Sequence, residues 1–253
     1  MKTGIIIQAR MSSTRLPGKI MLPLAGQEML WHVVERCRQS QRADLVIVAT
    51  TTDASDNPTA EFCHRHHYPV YRGSLDNVLD RYYQCAREFD LETINRITSD
   101  CPLIDAGVID ESFALLEANR AAGVVYASNL LHRDFPRGLD CEAFTMAALT
   151  DAWKNARTTE EREHVTVYLR GYTKVIPHCL TEKYRANFRL VIDEPVDYRL
   201  LSHLYDRFYR PGELIDLLQV IEYLKANPTI ANLNAQVEQK KVPATPEQQK
   251  NVS

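Results

Sequence analysis

Gly4-Ile5-Ile6-Ile7-Gln8-Ala9-Arg10-Met11-Ser12-Ser13-Thr14-Arg15-Leu16-Pro17-Gly18-Lys19 is an unbroken apolar run that passes directly into a polar, cation-bearing loop. Three successive isoleucines cannot alternate between core and solvent, so their strand must be buried on both faces, as strands of parallel sheets are. Leu30, Val33, Val34 and Cys37 then fall at i, i+3, i+4 and i+7, the stripe of a helix. Leu45-Val46-Ile47-Val48-Ala49 is a second buried strand, followed by a turn-rich stretch from Thr50 to Pro58 and a helix through the sixties. Pro69-Val70-Tyr71 is a short strand, 76–89 a helix and Thr93 to Thr98 a strand. This alternation predicts an α/β fold, a mostly parallel Rossmann-like sheet with helices on both faces.

The second half is less regular. Gly123 to Ala127 and Leu139 to Thr145 are expected strands, separated by a polar loop from Ser128 to Gly138. Helices are expected at 146–156 and 159–169, strands near 175–179 and 187–192, and helices at 196–209 and 212–226. A mixed half of this kind adds antiparallel strands and a smaller lobe over the substrate, at about 128–186, to a single domain spanning 1–238. From Gln239 to Ser253 the chain is polar, contains two prolines and reads as a flexible tail.

The 253 residues are 45% apolar and 25% charged, and 30 Lys and Arg against 33 Asp and Glu give a net charge of −3. A general nucleic-acid coat is excluded, because phosphate backbones call for a clear basic surplus. No apolar run approaches the ~20 residues a bilayer crossing needs. Cysteines 37, 63, 85, 101, 141 and 179 stand singly without a C-x-x-C pair, which points to reduced thiols and a cytoplasmic protein.

Near-neutrality conceals a local asymmetry. Residues 1–27 hold Lys2, Arg10, Arg15 and Lys19 and no acid; the first is Glu28. Open α/β sheets bind ligands beyond the C-terminal ends of their strands, and three cations spaced by hydroxyl residues in the first such loop suit a triphosphate. Neither G-x-x-x-x-G-K-[ST] nor G-x-G-x-x-G is present. Asp100, closing the strand Arg96-Ile97-Thr98-Ser99, and Asp193, closing Arg189-Leu190-Val191-Ile192, each precede a proline by two residues. Two strand-end carboxylates suit Mg²⁺ held against phosphates, while each taken alone also suits a helix cap.

The opening motif, Arg72-Gly73-Ser74-Leu75-Asp76-Asn77-Val78-Leu79-Asp80-Arg81, Arg96-x-Thr98-x-Asp100-x-Pro102 and Asp193-Glu194-Pro195-x-Asp197 together resemble the cytidylyltransferase family that activates acidic sugars. The likeness is to its acylneuraminate and 3-deoxy-manno-octulosonate members and most of all to the spore coat polysaccharide F-type branch. It runs in order over about residues 4–235. It implies a nucleotide-diphospho-sugar transferase sheet of the glycosyltransferase-A-like kind, and transfer of CMP from CTP to a nonulosonic or octulosonic acid for surface polysaccharide or glycan synthesis. It also implies a homodimer.

By motif position, Arg10, Arg15 and Lys19 would clamp the triphosphate, and Gln8 and Ala9 would face the base. Ser12, Ser13, Asn77, Arg81, Arg96 and Thr98 would complete the nucleotide site, although Arg81 on its helix could instead pair with Asp80 or Glu88. Asp100 and Asp193 would hold Mg²⁺. Arg137 would meet the sugar's carboxylate, Glu142 its hydroxyls, and His164 would approach it across the cleft. Attack of a sugar hydroxyl on the α-phosphorus builds negative charge on phosphate oxygens and on the leaving pyrophosphate, so cations and a divalent metal suit that chemistry. The competing readings are another sugar nucleotidyltransferase or glycosyltransferase of the same fold, and a noncatalytic nucleotide-binding module. Arg10, Arg15, Lys19, Asp100 and Asp193 occurring together favour an enzyme.

Overall fold

Ile5, Ile6 and Ile7 are each 0% exposed in the computed structural model, which describes residues 1–131, 133–172, 174–178 and 182–239. They lie in β1 (Thr3–Gln8). A small hairpin, β2 (Pro23–Leu24) with β3 (Gln27–Glu28), leads into α1 (Met29–Cys37). The alternation then continues through β4 (Leu45–Thr51), α2 (Asn57–Arg65), β5 (Val70–Gly73), α3 (Val78–Glu88), β6 (Thr93–Thr98) and α4 (Ala106–Ala118). The second half supplies β7 (Tyr126–Ser128), β8 (Glu142–Thr145), α5 (Met146–Asn155), α6 (Thr159–Glu163), α7 (Val167–Tyr172) and β9 (Val175–Pro177). The described chain ends with α8 (Pro195–Phe208), α9 (Leu217–Ala226) and α10 (Pro228–Ala231).

One sheet of seven strands has the order β5-β4-β1-β6-β8-β7-β9, in which β8 alone runs against its neighbours. The expected mostly parallel α/β sheet is therefore present, and the strands of the second half extend it. Successive side chains of a strand point to opposite faces, so β1 feeds two cores. Ile5 and Ile7 pack with Leu30, Val33, Phe113, Leu204 and Val220 of α1, α4, α8 and α9. Ile6 packs on the other face with Leu79, Tyr82, Leu149 and Leu169 of α3, α5 and α7. Each such fully buried aliphatic side chain contributes about 1.5–3 kcal/mol.

The order reverses at β1, whose two neighbours β4 and β6 continue in opposite directions across the sheet. Crossover helices then cover opposite faces and leave a crevice beyond the ends of β1 and β6. Gln8 and Thr98 are paired at that point.

Several expectations need correction. The helix expected at 159–169 is two helices, because Val165 adopts φ 48 between α6 and α7. Residues 187–192 form no strand. They meet the loop before β8 through a single bridge, Arg137 with Arg189, flanked by Arg137 N donating to Phe188 O and Leu190 N to Arg137 O. The strands at 123–127 and 139–145 are shorter, at β7 and β8. Helix α4 was not anticipated: its segment is apolar on most sides, which blurs the stripe, and its Asp105 cap bonds Gly107 N and Val108 N. No helix among the described residues is long and apolar enough to cross a membrane. Of the expected tail, 240–253 lies outside the described residues.

Candidate active site

The crevice beyond β1 and β6 is a cleft of about 590 Å³. Its first wall is the loop after β1, and the fold pins that loop at three places. Ala9 N still reaches Ala49 O. Met11 N donates 2.6 Å to the fully buried Asp56, which also accepts from Thr51 Oγ1. Gly18 closes the loop at φ 70 with its N–H on Met11 O, a left-handed conformation that suits glycine. Lys19 then starts a short turn with its side chain directed inward.

Lys19 Nζ donates 2.9 Å to Asp100 Oδ2, 2.9 Å to Asp193 Oδ1 and 2.7 Å to Ile192 O. Arg15 Nη2 lies 2.9 Å from the same Asp193 oxygen and its Nη1 3.5 Å from Glu194. Burial alone would lower the Lys19 pKa, but Asp100 and Asp193 outweigh it and leave the ammonium raised. Asp100 answers in kind: burial works against its charge, and Lys19 with the Thr98 hydroxyl holds its carboxyl below the ordinary range. Behind Asp193, Arg189 donates 3.0 Å to Oδ2 and is itself held by the fully buried Asp197, whose Oδ2 also accepts from Asp193 N. Asp100, after β6, and Asp193, in the loop before α8, therefore converge on one cationic point from segments 93 residues apart. Among the described residues no group of three or more His, Cys, Asp or Glu surrounds a metal position. Two carboxylates with open coordination positions left to phosphate oxygens fit the habits of Mg²⁺.

Arg81, on α3, also lines the cleft; it is 1% exposed and gives Nη1 to Ser74 O at 2.7 Å, not to Asp80 or Glu88. Its buried Nε has no partner among the described residues. Asp80 is engaged instead by Trp153 and Gln84. Asn77 caps α3 through Asp80 N and does not line the cleft, and neither does the exposed Ser12. Gln8, Ala9, Arg10, Ser13, Arg96 and Thr98 do line it. Arg10 is exposed, with no side-chain partner among the described residues.

Glu142 departs from expectation. It is 0% exposed and does not line the cleft, so it does not face a sugar hydroxyl. The register explains why: Glu142 of β8 stands opposite Arg96 of β6, on the same face of an antiparallel pair. Its carboxylate accepts from Arg96 Nη1 at 2.5 Å, Arg170 Nη2 at 2.7 Å, Tyr126 OH at 2.5 Å and Thr166 Oγ1 at 2.7 Å. Burial works to raise its pKa, yet Arg170 and Arg96, with the two hydroxyls, bring it down to about 2. Glu142 thus acts on the cleft by fixing two guanidiniums, both of which line it.

Arg137 and His164 both line the cleft. Burial lowers the pKa of His164, and nearby Arg96 and Arg170 add to the effect against Glu163. Arg137 is carried by a loop pressed on residues 188–190. Gly138 sits there at φ 105, where an added Cβ would lie 2.5 Å from Leu190 O. The lining residues that were not anticipated include Arg133, Asp140 and Arg170. Arg133 pairs with Asp140 at 2.7 Å, and burial raises the Asp140 carboxyl despite that partner. A signal for Arg170 did exist, since it lies one helical turn after Thr166 and bonds its hydroxyl at 3.2 Å. Among the described residues, eight Lys and Arg and four Asp and Glu line the cleft of a chain whose net charge is −3, a strong local surplus for binding an anion.

A family model described as cytidylyltransferase matches residues 4–241. The spore coat polysaccharide biosynthesis protein SpsF of Bacillus subtilis is 32% identical over 237 residues, covering 89% of this chain and 95% of that one. A 3-deoxy-manno-octulosonate cytidylyltransferase of Geobacter sulfurreducens is 36% identical over 123 residues, 48% of each chain. Among solved structures, a cytidylyltransferase from Leptospira borgpetersenii superposes with a TM-score of 0.86 at 34% identity, covering 94% of this chain and all of that one.

Proposed function

The chain belongs to the cytidylyltransferase family, and on that premise we propose that it transfers CMP from CTP to an acidic sugar of the nonulosonic or octulosonic type, releasing pyrophosphate. The observation that carries this is the meeting of Asp100 and Asp193 at Lys19, beside a cation-rich loop at the end of β1. A binding module has no need for two converging carboxylates, one at the end of β6 and one in the segment before α8, beside its cation-rich loop.

In this reading Arg10, Arg15 and Lys19 take the triphosphate, and Gln8, Ala9 and Arg81 take the base. Asp100 and Asp193 hold Mg²⁺, which when bound supplies positive charge at the α-phosphate. Arg137, with Arg96 and Arg170 fixed by Glu142, orients the acidic sugar so that one hydroxyl faces the α-phosphorus. The positively lined cleft stabilises charge building on the phosphate oxygens and on the pyrophosphate, the larger part of catalysis in such transfers. The product serves surface polysaccharide or glycan synthesis in the cytoplasm, and the enzyme works as a homodimer, which sedimentation tests.

Pyrophosphate release from CTP with a panel of nonulosonic and octulosonic acids tests the reaction. Asp100→Asn and Asp193→Asn should each lower the rate by about 100-fold or more with the fold retained. Full activity in either variant refutes the carboxylate pair.

A further inference from the structure

We propose that Lys19 is the placeholder for the metal: in the nucleotide-free enzyme its ammonium fills the point where Asp100 and Asp193 converge, so a divalent cation enters only with a triphosphate that draws Lys19 away. This rests on the carboxylate pair being the metal site.

A lysine ammonium has three donors, and all three are used here, on Asp100, Asp193 and Ile192 O at 2.9, 2.9 and 2.7 Å. Lys19 is 8% exposed, so this is a built position and not a surface encounter. A Mg²⁺ ion bound to both carboxylates at ~2.0–2.1 Å would stand on the ground Nζ occupies, and two cations do not share it. Asp193 has no alternative face to offer: Arg15 reaches the same Oδ1 at 2.9 Å and Arg189 holds Oδ2 at 3.0 Å. Lys19 and Arg15 already balance the two carboxylates, which leaves little attraction for a free divalent ion.

A triphosphate changes that balance by offering oxygens to both cations. Arg10, whose side chain has no partner among the described residues, is free to make the first contact. Lys19 then swings on its flexible four-carbon stem, with its backbone still anchored by the turn after Gly18. The carboxylates are released at the moment phosphate oxygens arrive to complete a metal's shell. Metal and nucleotide thus enter together, and the enzyme without nucleotide discriminates against free divalent ions.

Two binding measurements, made without sugar, test this. In the first, free Mn²⁺ is followed by electron paramagnetic resonance against nucleotide-free wild type and Lys19→Gln, whose amide can still donate to the carboxylates. Lys19→Gln should bind Mn²⁺ about tenfold more tightly than wild type; equal dissociation constants overturn the proposal. In the second, CTP is titrated in EDTA. Asp100→Asn, which loosens the hold on Lys19, should tighten metal-free CTP about fivefold or more in the wild-type background and not in Lys19→Gln. An unchanged dissociation constant for Asp100→Asn also overturns the proposal. That arm uses a chain that keeps Lys19, so it decides even if Lys19→Gln fails to fold. Neither reading depends on turnover: a chain that releases no pyrophosphate could still show the exchange, and an active one that binds Mn²⁺ tightly without nucleotide would lose this inference alone.

Discussion

Replacing Glu142 with Gln removes one negative charge from a site enclosed on every side. The carboxylate is 0% exposed and takes four hydrogen bonds, two of them from the guanidiniums of Arg96 and Arg170, whose side chains are only 13% and 21% exposed. Removing one partner of a buried ion pair costs about 3–5 kcal/mol, because the remaining charge is left uncompensated. An independent route gives a similar figure. A carboxyl lowered from 4.5 to about 2 corresponds to about 3 kcal/mol of native-state preference for its charged form. Because the folded pKa is the depressed one, that stability is present above pH 4.5 and is lost as pH falls toward 2. Glu142→Gln should therefore unfold about 3 kcal/mol more easily in urea at pH 7, melt about 10 °C lower, and show a flatter acid limb than wild type below pH 4.5. Pairing it with Arg170→Met should recover about 1–2 kcal/mol, since the second change removes an orphaned charge. Sugar-dependent kcat/KM should fall in the single variant as Arg96 and Arg170 lose their anchor. A Glu142→Gln enzyme within about 1 kcal/mol of wild type whose only defect is a raised sugar KM would refute the reasoning, because that is the behaviour of a direct sugar contact.

His32 tests a second buried titration: it is 2% exposed, donates Nε2 to Leu24 O at 2.8 Å, and burial lowers its pKa to about 4. The unfolded chain takes up that proton first, so stability should decline by about 3 kcal/mol as pH falls from 6.5 to about 4, and His32→Gln should flatten that slope in urea melts. Gly138→Ala places a Cβ 2.5 Å from Leu190 O at φ 105; calorimetry should show a loss of about 1–3 kcal/mol, and KM should rise for the sugar more than for CTP. Arg10→Ala should leave stability within about 0.5 kcal/mol while weakening CTP about tenfold by calorimetry, and an unchanged dissociation constant would place Arg10 outside the phosphate site.

The parallel half of the fold was legible because Ile5 to Ile7 and Leu45 to Ala49 are continuous apolar runs, as strands covered on both faces require, with helix-period segments between the strands. The loop after β1 was legible for the same reason: strand end and cation spacing are both local. What escaped was set by tertiary contacts. Residues 187–192 look like a strand, yet their one bridge is to Arg137, at a point that Gly138 keeps close, and their other backbone bonds go singly to Asp100, Lys19 and Asn234. The break at Val165 depends on a positive φ that a valine does not advertise. Glu142 was expected to face the sugar and is instead buried behind the cleft, because the cross-strand register that seats it against Arg96 is not written in its own segment. Asp100 and Asp193 each read as a helix cap when taken alone, and only the fold brings both to Lys19.

The most direct test of CMP transfer at this cleft is ³¹P NMR of the enzyme with Mg²⁺, CTP and a nonulosonic or octulosonic acid. The three triphosphate resonances of CTP should fade while pyrophosphate and a single new phosphodiester resonance grow in equal amounts, and ATP, GTP and UTP should remain unconsumed. Appearance of CDP and inorganic phosphate, or equal pyrophosphate from all four nucleotides, would contradict it.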